Sequence, residues 1–184
     1  MPDVAEQPRK HGRSMVGFYI AAGVVAVLVS LGAWLWAPAK IWYYERQVRV
    51  MSHPEMSFGE LANEGSAIRE QRTVAADKLV AIGPRASDAV ARLLAYSPGS
   101  LVSVAEAVGR QKAKWAVPIL VEACRKETRI YCGTMIIGAV SEATGRRFPL
   151  PMTTNALRVE ERRVEMFLAW WEGEGKAEYG GAPK

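Results

Sequence analysis

A run of 22 residues without a charged side chain, residues 15–36, constrains this chain more than any other feature of its sequence. As a helix with a rise of about 1.5 Å per residue, the run would span roughly 33 Å, enough to cross the hydrocarbon core of a bilayer. Because a backbone in hydrocarbon must satisfy its own hydrogen bonds, the run predicts a transmembrane helix over 15–37. Amphipathic rings favour the headgroup layer, which predicts a set of interfacial aromatic residues: Trp34, Trp36, Trp42, Tyr43 and Tyr44.

The alternative for this segment is a cleaved signal peptide. Basic residues precede the run, and Ala37-Pro38-Ala39 follows it in the manner of a cleavage site. The apolar region of a signal peptide has about 7–15 residues, whereas this run is longer and ends in tryptophans. We therefore expect an uncleaved anchor. Since no second apolar run of comparable length occurs in the sequence, we expect a single-pass protein.

Small residues recur every four positions inside the predicted anchor, at Ala22, Ala26 and Ser30. Such a ridge lets a second transmembrane helix approach closely. Alanine is also common in anchors without any packing role, so the sequence leaves both explanations open.

The rest of the 184-residue chain predicts one helical domain. About 150 residues lie beyond the N-terminal tail and the anchor, enough for a single domain with a modest core. Apolar residues recur at helical spacing throughout 57–171, and alternating runs of β-branched residues are missing. The flanking segments complete the predicted organisation: a disordered tail at 1–14, a linker or interfacial helix at 38–56 and a flexible tail at 172–184.

Six apolar stripes separated by short breaks predict six short helices joined in hairpins, the first stripe beginning at Ile68. A glycine follows three of the stripes, and a glycine in that position is typical of a helix C-terminus. These glycines are Gly83, Gly109 and Gly145. The expected core consists of apolar residues from the stripes: Leu79, Ile82, Val90, Leu94, Val108, Leu120, Ile136 and Leu168.

The hairpins repeat along the chain. Gly83 and Gly109 each end an Ala-apolar-Gly block, and their offset is 26 residues; a matching Ala-Val block recurs at 89 and 116, with an offset of 27. A fixed period in this range with two helices per unit indicates an α-solenoid. With VAEAVG at 104–109 followed by AVPIL at 116–120, the chain resembles the HEAT-like repeats first named from phycobilisome lyases, over about 68–171. The resemblance implies a small HEAT-like solenoid of the kind found in many bacterial proteins, and says little about function.

The residues that carry most enzyme chemistry are scarce in this chain. Its two histidines, His11 and His53, lie outside the predicted domain, and its two cysteines are separated from both of them. Neither a zinc site nor a histidine-dependent triad is therefore expected. The segment Gly173–Lys176 echoes a phosphate-binding loop but lacks the following Ser or Thr and a preceding strand. We expect no enzyme activity, no cofactor and no small-molecule substrate.

Three clusters of basic residues fall in the predicted inter-helix turns. Turns of successive repeats line up along one edge of a solenoid, so the clusters could form a docking ridge for lipid headgroups or an acidic partner. Ordinary solvation and favourable cations at helix C-termini explain them equally simply. The clusters are Arg110, Lys112 and Lys114; Arg125, Lys126 and Arg129; and Arg146 and Arg147.

Cys124 and Cys132 lie on two apolar stripes across one predicted turn. A disulfide between them requires Cα atoms closer than about 7 Å and an oxidising compartment. In a reducing compartment both would be buried free thiols. The sequence leaves these two possibilities open.

These features predict a non-enzymatic, membrane-anchored interaction module, an accessory or assembly subunit of a larger membrane complex. Its partners would be the bilayer and other subunits; a net charge of +5 made of interspersed charges does not favour nucleic acid. The alternatives are a HEAT-like lyase or other enzyme, and a membrane-tethered sensor or regulator that binds an acidic lipid or protein. Lys and Arg are equally frequent on both sides of the anchor. The simpler insertion keeps the short tail inside and exports the domain across a bacterial inner membrane.

Overall fold

The computed structural model describes residues 12–55, 57–127, 129–148 and 156–181. These residues form helices and connecting turns without a strand, which confirms the all-α prediction. The α-helices are α1 Gly12–Val50, α2 Phe58–Ala62, α3 Ser66–Val80, α4 Ser87–Tyr96, α5 Pro98–Arg110, α6 Val117–Lys126, α7 Ile130–Thr144, α8 Ala156–Trp170 and α9 Lys176–Tyr179. Short 3-10 turns at Pro84–Ala86 and Lys114–Ala116 and a π turn at Trp171–Gly175 connect some of them.

The chain divides into two compact units, residues 1–38 and 39–184. Residues 1–11 of the predicted tail lie outside the described residues, and Gly12 already belongs to α1. Among the described residues one helix segment, Ala22–Val50, is long and apolar enough to cross a membrane. The large apolar side chains described in the first unit are all exposed: Tyr19, Ile20, Val24, Val25, Val27, Leu28, Val29, Leu35 and Trp36.

Helix α1 continues through Pro38 as far as Val50. This differs from the prediction of a separate interfacial helix or linker over 38–56. A proline inside a helix removes one backbone donor and crowds the preceding turn, but it does not have to end the helix when the residues after it are held by packing. The residues after Pro38 belong to the second unit and pack against its other helices.

Two rows of helices build the second unit. Helices α3, α5 and α7 are successive neighbours in one row, while α4 and α6 pack together in the other. Asp77 near the end of α3 accepts a hydrogen bond from Arg110 at the end of α5, and Gly109 near the end of α5 faces Ala139 near the end of α7. The three helices of the first row therefore run in the same direction and end on the same side.

The six predicted stripes correspond to α3 through α8. Most of the predicted core is fully buried, including Leu79, Val90, Leu120 and Ile136. Two of the predicted core residues, Ile82 and Leu168, are only partly buried and pack against the edge of the core. Ile68, the first residue of the first stripe, is 48% exposed. It lies one turn before Arg72, at which the buried residues of α3 begin.

The three predicted C-terminal glycines have different roles. Gly83 and Gly145 both have positive φ values, 85° and 75°, which glycine adopts without steric cost. Gly109 instead lies inside α5 and is buried. A Cβ atom there would lie 3.3 Å from the Cα of Ala139 and would run into Glu142. The positive φ of this turn falls on Lys112, at 50°.

The C-terminal segment predicted to be flexible at 172–184 is helical as far as Tyr179. The Tyr179 ring lies 6.3 Å from that of Trp170, which forms an aromatic cluster with Phe148 and Phe167. A single aromatic residue within a stretch rich in Gly, Glu and Lys gives no helical periodicity, so this element could not be read from the sequence.

A pair of Gly→Ala substitutions tests the close approach of α5 and α7. Gly109→Ala should be destabilising by about 1–3 kcal/mol, since the added methyl group overpacks a helix contact. Gly138→Ala in α7 has open space around its Cβ position and should stabilise by up to about 1 kcal/mol through helix propensity. Chemical unfolding of the full-length protein in detergent measures both. A stabilising Gly109→Ala would contradict the packing described here.

Candidate interaction surface

The first residues of the second unit pack against the rest of it. Ile41 and Tyr44 are partly buried, while Glu45 and Val48 are buried at 9% and 0% exposure. The segment predicted as a linker or interfacial helix is thus a structural part of the domain. Tyr44, predicted as an interfacial aromatic, contributes its ring to this contact. The sequence carried a signal for it: Ile41, Tyr44, Glu45 and Val48 share one face of a helix.

Glu45 joins this segment to α4. Its carboxylate accepts hydrogen bonds from Arg92 Nε and Nη2 at 2.9 and 2.6 Å and from Arg49 Nη2 at 2.8 Å. The hydrogen bonds from Arg92 lower the pKa of Glu45 against the opposing effect of burial. A lowered folded-state pKa means that this stabilisation is present at neutral pH and is lost as the pH falls through that pKa.

Arg72 joins the end of α1 to three other parts of the domain. Its guanidinium is 1% exposed and forms a bidentate pair with Glu64, at 2.7 and 2.6 Å. It also donates to the Met51 carbonyl at 3.0 Å and to Ser103 Oγ at 2.9 Å. One side chain of α3 therefore fixes the α1 terminus, the connection between α2 and α3, and α5.

These contacts define the direction in which the chain enters the domain. Lys78, near the end of α3, lies over the Tyr44 ring at 5.9 Å, whereas Met51 contacts Arg72 one to two turns earlier in α3. The segment 39–50 thus runs antiparallel to α3. Ala39 lies on the side where α3, α5 and α7 end. We call this side the entry end; it comprises the turns 81–86 and 111–116 and residues 145–148.

The three predicted basic clusters do not share one side of the domain. The cluster from Arg110 to Lys114 and the pair Arg146 and Arg147 lie at the entry end, after α5 and α7. The third cluster lies at the opposite side, around the turn between α6 and α7. There every predicted cation is paired: Arg125 with Glu122 and Glu172, Lys126 with Glu122, and Arg129 with Glu127.

Two of the predicted cations at the entry end are paired as well. Arg110 Nη2 lies 3.0 Å from Asp77, and Arg146 Nη1 lies 2.6 Å from Glu174 while the guanidinium covers the Trp170 ring. Lys112, Lys114 and Arg147 are exposed and have no ion pair within the described ranges. Two further exposed cations at this end, Lys78 and Arg85, were not part of the predicted clusters.

The other predicted site residues are largely exposed. Trp36, Trp42 and Tyr43 are 63%, 62% and 51% exposed, and the Arg46 guanidinium lies 5.4 Å from the centre of the Trp42 ring. The side chain of Trp34 is outside the described residues. Ala22, Ala26 and Ser30 are exposed, and Ser30 Oγ donates to the Ala26 carbonyl at 2.8 Å. That hydroxyl is therefore satisfied within its own helix.

Surface grooves of about 450 to 540 Å³ lie on the described part of the domain. One of about 540 Å³ runs between α4 and α6 over Leu94, Pro118 and Ile119. Another crosses the first helix row beside Tyr131 and Met135, and a third separates Tyr43 from α3. Within the part of the chain that the structure describes, no three His, Cys, Asp or Glu side chains are placed to share a metal ion.

The two cysteines are free and buried. Burial raises the pKa of Cys124 to about 11, and burial with the neighbouring Glu127 carboxylate raises that of Cys132 to about 12. Both thiols are therefore protonated at neutral pH and are poor nucleophiles. Their pairing in an oxidising compartment is one of the two possibilities that the sequence left open.

No protein-family model, curated protein or solved structure matches this chain.

Substitution of Arg72 tests the buried network. Arg72→Met leaves the Glu64 carboxylate buried without a partner and should lower the free energy of unfolding by about 3–5 kcal/mol. Arg69→Met is the matched control, because its side chain is 58% exposed and an exposed pair contributes about 0–1 kcal/mol. Equilibrium unfolding of the full-length protein in detergent measures both variants, and equal losses would contradict the network.

The thiols give a second prediction. At pH 8 both should react slowly with iodoacetamide in the folded protein and rapidly after unfolding, because their raised pKa values keep them protonated. Intact mass before and after reduction detects a disulfide independently. Rapid modification of the folded protein would contradict the burial of Cys124 and Cys132.

Proposed function

We propose that this chain is a non-enzymatic, single-pass membrane protein whose helical domain docks another protein, as an accessory or assembly subunit of a larger membrane complex. The observation that carries the proposal is the exposed apolar surface of α1, from Tyr19 to Trp36. Soluble proteins rarely leave a contiguous apolar patch of more than a few hundred Å² uncovered. A bilayer covers such a surface around its whole circumference.

The position of the domain in the chain supports an interaction role at the membrane. Its compact unit begins at Ala39, only three residues after Trp36, the last residue of the run 15–36. A partner docked on this domain would be kept beside the bilayer, where other membrane subunits are available. The Arg72 and Glu45 networks support a domain that keeps its shape while it carries a partner.

The arrangement of the helices supports the HEAT-like part of the proposal. Hairpins α3–α4 and α5–α6 repeat with the spacing of the sequence blocks, and like helices of successive hairpins are neighbours. In such repeats each unit buries its faces against the next one, and the grooves between units remain available. The grooves beside Ile119 and Tyr131 are of this kind.

A non-enzymatic role is supported by the chemistry of the domain's thiols. The two cysteines are its strongest potential nucleophiles, and both are buried with raised pKa values. The proposal places the protein in the inner membrane of a bacterial cell with the domain exported, because a short basic tail is simpler to retain than to translocate. Reporter fusions to the C-terminus that are active on only one side of the membrane test this orientation.

The anchor is tested by carbonate washing of membranes and by the mass of the mature protein. The wild-type protein should stay in the membrane pellet with residues 15–36 intact. The double variant Val25→Arg/Leu28→Arg should move it into the soluble fraction, because each Arg near the centre of a transmembrane helix costs about 2.5–3.5 kcal/mol. Val50→Arg, on the same helix but beyond the uncharged run, is the control. A soluble wild-type form beginning near Lys40 would contradict the anchor.

The partner is tested by photocrosslinking in native membranes. A photoreactive residue replaces the exposed Tyr131 in one sample and the exposed Lys176 at the C-terminal turn in another. The proposal expects one crosslinked protein that also copurifies in a fixed ratio after mild detergent extraction. A lone monomer without crosslinks at either position would contradict the docking role.

A further inference from the structure

We propose that the entry end of the domain binds anionic phospholipid headgroups, so that the domain lies against the membrane through the ends of α3, α5 and α7. The inference rests on the anchor proposed above. The inference assigns the two predicted basic clusters of the entry end to the membrane surface and the third cluster to the side away from it. It also adds Lys78 and Arg85 to the residues at the membrane surface.

The charge at the entry end is unbalanced. Five exposed cations there form no ion pair within the described part of the chain: Lys78, Arg85, Lys112, Lys114 and Arg147. The exposed carboxylates of Asp88, Glu142 and Glu178 lie at the same end, whereas Asp77 is occupied by Arg110 and Glu174 by Arg146. This side therefore keeps an excess of positive charge after its internal pairs are subtracted.

The predicted basic cluster at the opposite end lacks that excess. Arg125, Lys126 and Arg129 are all neutralised by Glu122, Glu127 or Glu172. Three of the five predicted cations at the entry end form no ion pair within the described residues, whereas all three at the opposite end are paired. Basic residues that only solvate the surface of the repeats do not explain this contrast, since they would form ion pairs to a similar degree at both ends.

The place where the chain enters the domain indicates that lipid headgroups are the ligand of the entry end. Ala39 lies at the entry end, and only Ala37 and Pro38 separate it from Trp36 in the sequence. At no more than about 3.6 Å per residue, Ala39 lies within about 11 Å of Trp36, the end of the run 15–36. An inserted anchor therefore brings the entry end, and not the opposite end, to the headgroup layer. Basic residues in that layer are attracted to anionic lipids.

The secondary structure explains why the cations collect at this end. Each turn follows the C-terminus of a helix of the first row, where the helix dipole favours a cation. Because α3, α5 and α7 are parallel, their three C-termini add their basic residues to the same side. A lipid phosphate would meet several cations at once, with the Tyr44 ring beneath Lys78.

Lysine labelling of the full-length protein in vesicles tests the proposal. The protein is reconstituted in phosphatidylcholine vesicles with or without phosphatidylglycerol, and exposed lysines are acylated with a water-soluble ester and followed by mass spectrometry. Phosphatidylglycerol should slow the labelling of Lys78, Lys112 and Lys114 severalfold and leave Lys126 unchanged. High salt should reverse the effect. Equal rates in both vesicles, or equal slowing of Lys126, would overturn the proposal.

A charge-matched pair of variants makes the test independent of labelling chemistry. Lys112→Ser/Lys114→Ser/Arg147→Ser should retain phosphatidylglycerol less well in native mass spectrometry, by about fivefold for each cation removed. Arg125→Ser/Lys126→Ser/Arg129→Ser removes the same charge from the opposite end and should retain it like the wild type. Circular dichroism checks that both variants fold. Equal lipid retention by the two variants would overturn the proposal.

The outcomes also separate this inference from the proposed function. Carbonate-resistant protein without selective lipid binding would refute only the lipid contact. If Lys112 were protected in native membranes but not in vesicles with phosphatidylglycerol, an acidic protein would be the occupant and the lipid proposal would be wrong. Carbonate-soluble protein would refute the anchor and with it both proposals.

Discussion

The buried guanidinium of Arg72 is the constraint on which the arrangement of this domain depends. An unpaired charge in the interior costs several kcal/mol, so Arg72 requires the Glu64 carboxylate, Ser103 and the Met51 carbonyl at the same time. Those three partners come from different parts of the chain. Satisfying one side chain therefore places the end of α1, the start of α3 and the middle of α5 together.

The direction of entry follows from that network. Once Met51 is fixed at Arg72 and Glu45 at Arg92, the segment 39–50 can run only antiparallel to α3. The side at which Ala39 enters becomes the side at which three helices of one row end. This placement brings basic residues that are scattered in the sequence to one end of the domain, the end at which the chain enters it.

The periodicity of apolar residues predicted the positions of the helices well, but it predicted less well which residues contact neighbouring helices. The stripes containing Leu79 and Leu120 are buried as expected, because apolar spacing records which face of a helix avoids water. Gly109 was expected to end a helix. Instead its lack of a side chain allows α7 to pack closely against α5. The sequence could not separate these roles, because an Ala-apolar-Gly block is the same in both. The exposure of Ile68 was missed for a related reason: burial depends on where the neighbouring helices stop.

The sequence by itself determined the elements that depend on local patterning: an uncharged run of spanning length, an all-helical domain and the positions of Gly83 and Gly145. Only the tertiary structure decided which cations remain available, because pairing depends on carboxylates that are distant in the chain, such as Glu172 for Arg125 and Glu174 for Arg146. The sequence alone does not show which charged residues pair, because an ion pair forms wherever folding brings two oppositely charged side chains within reach.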